Sequence, residues 1–175
     1  MFIHLWGQVK KMQSVKNGFW SIIFTGLCFL SIYYCNNALI NKENQVIFIA
    51  AFGAAAVLDL SIQSKDKTSL KTMFLGSIIG SLIGVFFSQL KLDVVWASIM
   101  AISLCTGLMT LFKTKYPPGG AMVLIPILGG PEIQALRYTY VFHPVLTGIT
   151  IVFFFSRLQL VFIKNHLENG ESRNY

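Results

Sequence analysis

The chain holds seven acidic residues and three histidines, so few groups can move a proton or hold an ion. Asp59 stands apart from the other carboxylates. It lies near the end of an apolar run, directly after Gly53-Ala54-Ala55-Ala56-Val57-Leu58. A lone carboxylate in an apolar medium is costly, so it must be protonated, paired or reaching water. Asp59 either snorkels toward the interface near Lys65, or it is a proton-coupling group. His143 sits beside Pro144, early in the last apolar run. It could relay protons, or it could simply be satisfied by a backbone carbonyl. Tyr116 and Thr147 offer hydroxyl donors. His4 and His166 lie in terminal segments, and nothing singles them out. There is no Ser-His-Asp set, no metal-ligand cluster and no phosphate loop, so neither metal nor cofactor is expected. An enzyme is not expected either, because paired acid and base groups at membrane depth are missing. Cys28, Cys35 and Cys105 are an odd number without ligand spacing and read as small buried hydrophobes.

A second chemical signal is the stretch from Tyr116 to Pro131. It is apolar, yet carries four glycines and four prolines. Its apolar part, 117–130, would rise only ~21 Å as a helix against a hydrocarbon core of ~30 Å. Pro117 and Pro118 suit a helix start. Pro126 should kink that helix, and Gly129-Gly130-Pro131 should end it. Interrupted segments of this kind are tolerated only where protein or a watery cavity surrounds them. They either fit poorly among neighbours or mark a transporter binding site.

The elements that position these groups are membrane helices. Of 175 residues, 54 % are hydrophobic and 12 % charged, and the mean hydropathy is +0.63. A soluble domain has about 25 % charged residues. The pattern predicts an all-α membrane protein with about six transmembrane segments, one of them short. Residues 1–16 form an N-terminal cytoplasmic or interfacial segment, either an amphipathic helix or a frayed tail. Residues 17–163 form one transmembrane domain, and 164–175 a polar tail without order. No cleavable signal peptide is evident, because Lys10, Lys11 and Lys16 precede a long apolar run without a small-residue cleavage site.

Spans are expected near 18–40, 45–62, 70–90, 93–112, 117–130 and 138–163. A net charge of +7 does not imply nucleic acid, since the basic residues sit at span ends. Six crossings with the N-terminus in the cytoplasm put 11 Lys and Arg inside and 3 outside, whereas a re-entrant short segment gives 9 against 5. Both termini are therefore expected in the cytoplasm. Gly76, Gly80 and Gly84 form one helix face. That face suits close packing and is also the expected surface for any homo-oligomer.

The short stretch has an echo. Gly53-Ala54-Ala55-Ala56-Val57-Leu58 aligns with Gly119-Gly120-Ala121-Met122-Val123-Leu124 at an offset of 66. Gly80 to Leu90 aligns with Gly148 to Leu158 at an offset of 68. Three spans per unit make an inverted repeat of three plus three, a recurrent plan for secondary transporters. The two glycine-alanine stretches would then approach from opposite faces. Helix N-termini near them would offer N–H groups to a small anion. Chance similarity between apolar helices is the plainer explanation of the echo.

The same residues resemble the HPP family of small integral membrane proteins. That family is named for a His-Pro-Pro motif opening a glycine-alanine stretch. The match is Tyr116-Pro117-Pro118-Gly119-Gly120-Ala121, ending at Gly129-Gly130. Further matches are Ala51-Phe52-Gly53-Ala54-Ala55-Ala56-Val57-Leu58 and Pro144-Val145-Leu146-Thr147-Gly148. Tyr116 replaces the naming histidine, so no role of that imidazole carries over. Some family members are regarded as nitrite transporters. The resemblance implies a transporter or channel for a small inorganic anion, with nitrite the candidate. Gly53, Ala54, Tyr116, Pro117, Pro118, Gly119, Gly120, Ala121 and Thr147 are its expected contacts. The alternative is a non-transporting membrane scaffold or accessory subunit. Substituting Gly119 and Gly120 with Val should abolish flux in a folded transporter and partner binding in a scaffold.

Overall fold

A computed structural model describes residues 2–37, 42–61, 68–90 and 92–171, with side chains for 18–37, 48–61, 68–90 and 92–163. The helices are α1 (Phe2–Asn36), α2 (Lys42–Leu60), α3 (Leu70–Ser88), α4 (Val94–Leu111), α5 (Pro117–Leu128), α6 (Pro131–Ala135) and α7 (Thr147–Glu171). A wide helical segment, Val141–Leu146, runs into α7 after His143 breaks helical geometry at φ −137° and ψ 119°. No strand occurs among the described residues. The chain is all-α.

Local chemistry sets these boundaries. Ser69 caps α3 by accepting from the Thr72 N–H at 3.2 Å, and Asp93 caps α4 by accepting from Val95 N–H at 2.9 Å. Asp93 is thereby accounted for at a helix end. Hydroxyls within the spans bond back to carbonyls one turn earlier: Ser77 to Met73, Ser81 to Ser77, Thr106 to Ile102, Thr110 to Thr106. A polar side chain satisfied by its own helix can sit in an apolar medium.

Among the described residues four helices are long and apolar enough to cross a membrane: Gly18–Asn36, Leu70–Ser88, Val94–Leu111 and Val141–Ile163. The apolar parts of α2 (Phe48–Leu60) and all of α5 are shorter. The expected count of six thus resolves into four long spans and two short apolar helices, where one short element was expected. Both ends of the chain carry helix among the described residues. The 35 residues of α1 run without a break from Phe2, rising ~52 Å, so residues 2–16 continue the first span. The polar tail is helical to Glu171, because an established helix extends at little cost. The turn at Asn41, the loop carrying Lys65, Asp66 and Lys67, Lys91, and the last four residues lie outside the described set.

The tightest contact is α3 on α5. A Cβ on Gly80 or Gly84 would overlap the carbonyls of Gly119 or Val123, and one on Gly76 would meet the Tyr116 Cβ at 2.5 Å. The glycine face is therefore consumed inside the chain, and a second copy cannot use it. The expected homo-oligomer surface is corrected on that ground. Two apolar clusters flank this contact. One joins α1, α2 and α7 through Phe24, Cys28, Phe52, Leu60 and Val152, and the other joins α4 to Ile83, Phe87, Val123 and Ile127. Cys28 and Cys105 are buried as expected, whereas Cys35 is exposed near the end of α1.

Candidate functional site

α5 begins at Tyr116, whose extended backbone (φ −128°) turns the chain into the helix. Pro117 and Pro118 occupy the first two positions and have no N–H to give. The Gly119 N–H is already bonded to the Tyr116 carbonyl at 2.9 Å. The first turn of α5 therefore offers no cradle of free N–H groups, and this corrects the expected mode of holding an anion there. Gly53 and Ala54 lie inside α2, where backbone N–H groups belong to the helix.

Pro126 lies within α5 rather than ending it. Its missing N–H leaves the carbonyl four residues back, that of Met122, without its helical donor. The buried Tyr140 hydroxyl supplies that bond, at 3.0 Å. Tyr140→Phe is expected to cost ~1–3 kcal/mol, since it strands a buried carbonyl. A lowered thermal midpoint in detergent, read beside the exposed control Tyr138→Phe, checks this; equal midpoints would refute it.

A polar seam surrounds the end of α2. Ser156 donates to the Asp59 carbonyl at 3.2 Å, and Ser21 donates to the Leu60 carbonyl at 3.2 Å. Gln159 donates to the Ser21 hydroxyl at 2.8 Å. Side chains of α1 and α7 thus cap the last carbonyls of a helix that ends within the bundle. Arg157 turns away from this seam, donating to the Thr68 carbonyl at 3.1 Å with its guanidinium 4.8 Å from the Phe153 ring. Asp59 is 0 % exposed. Lys65, toward which one reading has it reach, lies outside the described residues. From α5, the Tyr116 phenol comes within electrostatic reach of the Asp59 carboxyl, without a hydrogen bond of ordinary geometry.

On its other side Tyr116 borders a cavity of about 390 Å³ between α4 and α5. Cys105, Thr106, Met109, Thr110, Lys115, Pro117 and Gly120 complete the lining. Thr106 and Thr110 have given their hydrogens to helix carbonyls. The strong donor left for a guest is Lys115.

The remaining expected residues are dispersed. Gly119 faces α3, with the Gly76 carbonyl 2.5 Å from where its Cβ would lie. Pro118 is buried, and Ala121 is half-buried. Gly53 and Gly120 are half-buried with open space around them, and Ala54 is exposed. Thr147 lies 3.1 Å from His143 Nδ1 and also donates to the Pro144 carbonyl at 3.1 Å. His143 is thus partnered by a hydroxyl rather than by the expected carbonyl. Nine residues of α7, ~14 Å, separate Thr147 from Ser156 at the Asp59 end. His143 and Asp59 do not share a site. Sequence reasoning missed Ser21, Tyr140, Ser156 and Gln159. The available signal was Ser156 and Gln159, three apart on one face of an apolar helix, where polar groups are costly.

Residues 10–166 match the family described as HPP, transmembrane region. The chain belongs to the HPP transmembrane family. Two transmembrane proteins of Dictyostelium discoideum are similar to this HPP protein. One is 29 % identical over 137 residues, covering 76 % of this chain and 47 % of the relative. The other is 28 % identical over 134 residues, covering 74 % and 42 %. The HPP chain thus spans less than half the length of these relatives. No solved structure matches it. Family membership and the apolar helices make it an integral membrane protein.

Proposed function

We propose that this HPP protein carries a small inorganic anion across the membrane, with nitrite the family-implied candidate and Asp59 the proton-coupling group. The observation that carries the reading is the α4–α5 cavity, with Lys115 and the buried Tyr116 in its wall. Lys115 supplies the positive charge that the first turn of α5 does not. A negative interior opposes anion uptake by ~2.3 kcal/mol per 100 mV, and one proton per anion would cancel that term.

Two helix crossings support the internal repeat behind this reading. Gly80 rests on Gly119, and Gly148 rests on the Phe52 ring. The offset of 68 pairs Gly80 with Gly148, and the offset of 66 pairs Phe52 with Pro118, next to Gly119. α3 packs on α5 as α7 packs on α2, and α1 packs on α7 as α4 packs on α3. Two crossed pairs exchanged by one axis are what an inverted repeat requires.

The test is flux of nitrite and nitrate into proteoliposomes holding the purified protein. Empty vesicles report the unaided passage of nitrous acid, and nitrate avoids that leak. Flux above the empty-vesicle rate, reduced severalfold by Lys115→Gln, is expected. No flux of nitrite, nitrate, formate or chloride through folded protein would overturn the reading in favour of a scaffold.

A further inference from the structure

Resting on the proposed anion transport, we infer that the α4–α5 cavity selects its guest by ease of dehydration rather than by size. Weakly hydrated monovalent anions, with thiocyanate and iodide at the head, are its preferred class. Nitrate and nitrite come next, then chloride. Fluoride, sulfate and doubly charged phosphate are rejected.

The cavity lies where α4 ends and α5 begins. Its volume of about 390 Å³ is that of a small-molecule pocket. Liquid water takes ~30 Å³ per molecule, so an anion of a few atoms fills a minor part of this space. Gly120 adds to the room, since a Cβ there would meet nothing within 4 Å. Size alone therefore sets no order among small inorganic anions.

The donors in the wall do set one. An anion that leaves water loses hydrogen-bond donors, and only donors of the site offset that loss. Cys105 and Met109 are buried and bring sulfur, which is polarisable but a weak hydrogen-bonding group. Pro117 has no N–H. Thr106 and Thr110 give their hydrogens to the carbonyls of Ile102 and Thr106, at 2.9 and 2.8 Å. Their oxygens keep only lone pairs, which repel an anion. Gly120 is the fourth residue of α5, where the helix's own ladder of N–H bonds begins. Lys115, an exposed residue, is left with one compact positive charge.

One ammonium does not replace a hydration shell. A tightly hydrated anion loses more than Lys115 returns. A loosely hydrated one loses little, and it gains dispersion contact with the sulfur-bearing wall. The dehydration cost of an ion rises with the square of its charge, whereas its attraction to Lys115 rises only in proportion. Sulfate and doubly charged phosphate therefore fall last. Water that stays in the cavity narrows these differences without reversing them.

Competition in proteoliposomes holding the full chain tests this. Flux of isotope-labelled nitrate above the empty-vesicle rate is followed at fixed pH and ionic strength, with the membrane potential clamped by potassium and valinomycin. Thiocyanate is expected to halve that flux at about one-tenth of the chloride concentration needed, with fluoride and sulfate ineffective. Met109→Gln adds an amide donor to the wall at similar size and should bring chloride within about threefold of thiocyanate. Its thermal midpoint in detergent shows whether it folds; Cys105→Ser makes the same test with a smaller change. Equal potency of all monovalent anions, or fluoride and chloride ahead of thiocyanate, would overturn the inference and leave the transport reading standing. An order unchanged in both folded variants would do the same. Folded wild type that passes no nitrate, nitrite, formate or chloride would overturn both.

Discussion

Replacing Gly80 with alanine is expected to unfold the bundle. The added methyl would overlap the Gly119 carbonyl, and both sides of the contact are backbone. Overpacking against flexible side chains costs about 1–3 kcal/mol, because rotamers can yield. Here nothing can rotate away. α3 must withdraw from α5, which pulls Gly76 off Tyr116 and Gly84 off Val123 together. A loss above ~3 kcal/mol is a large share of the ~5–15 kcal/mol that holds a typical protein folded. Gly84→Ala should behave alike. Gly120→Ala and Gly53→Ala should be near neutral, since a Cβ at either meets nothing within 4 Å. Thermal midpoints by size-exclusion in detergent separate the four. A Gly80→Ala protein as stable as Gly120→Ala would refute the α3–α5 contact. Valine at Gly119 fails as a test of transport for a related reason: its side chain would strike Gly76 and Met109.

Asp59→Asn is expected to abolish pH-driven anion uptake, with a loss of more than tenfold, while the protein stays folded. The amide matches the carboxyl in size and can still accept from the Tyr116 hydroxyl. It cannot bind and release a proton. The Asp59 carbonyl keeps its bond from Ser156, because that bond belongs to the backbone. Uptake driven by the anion's own gradient should survive. Equal response to a pH gradient in Asp59→Asn and wild type would remove Asp59 from the mechanism.

Much of this was legible in the sequence. The Gly76, Gly80 and Gly84 spacing announced a close helix approach, and Asp59 announced itself by its cost in an apolar run. Other features depend on which partner arrives. The stripe does not say that α5, rather than a second copy, fills it. Pro117 and Pro118 were read as a helix start, but their missing N–H groups also disarm that start as an anion cradle. Tyr140 becomes visible only when Pro126 is seen to strand the Met122 carbonyl and the chain is seen to return there. Ser21 and Gln159 are 138 residues apart, beyond any local pattern. The helix through the polar tail was missed because a helix continues past its apolar stretch when nothing stops it.

The most direct test of proton-coupled transport is proton movement during anion flux. Proteoliposomes with an internal pH dye would receive external nitrite or nitrate at equal pH on both sides. Interior acidification that begins on adding the anion, exceeds that of empty vesicles and vanishes in Asp59→Asn is the predicted result. Anion flux through the wild type with no acidification beyond the empty-vesicle trace would contradict it.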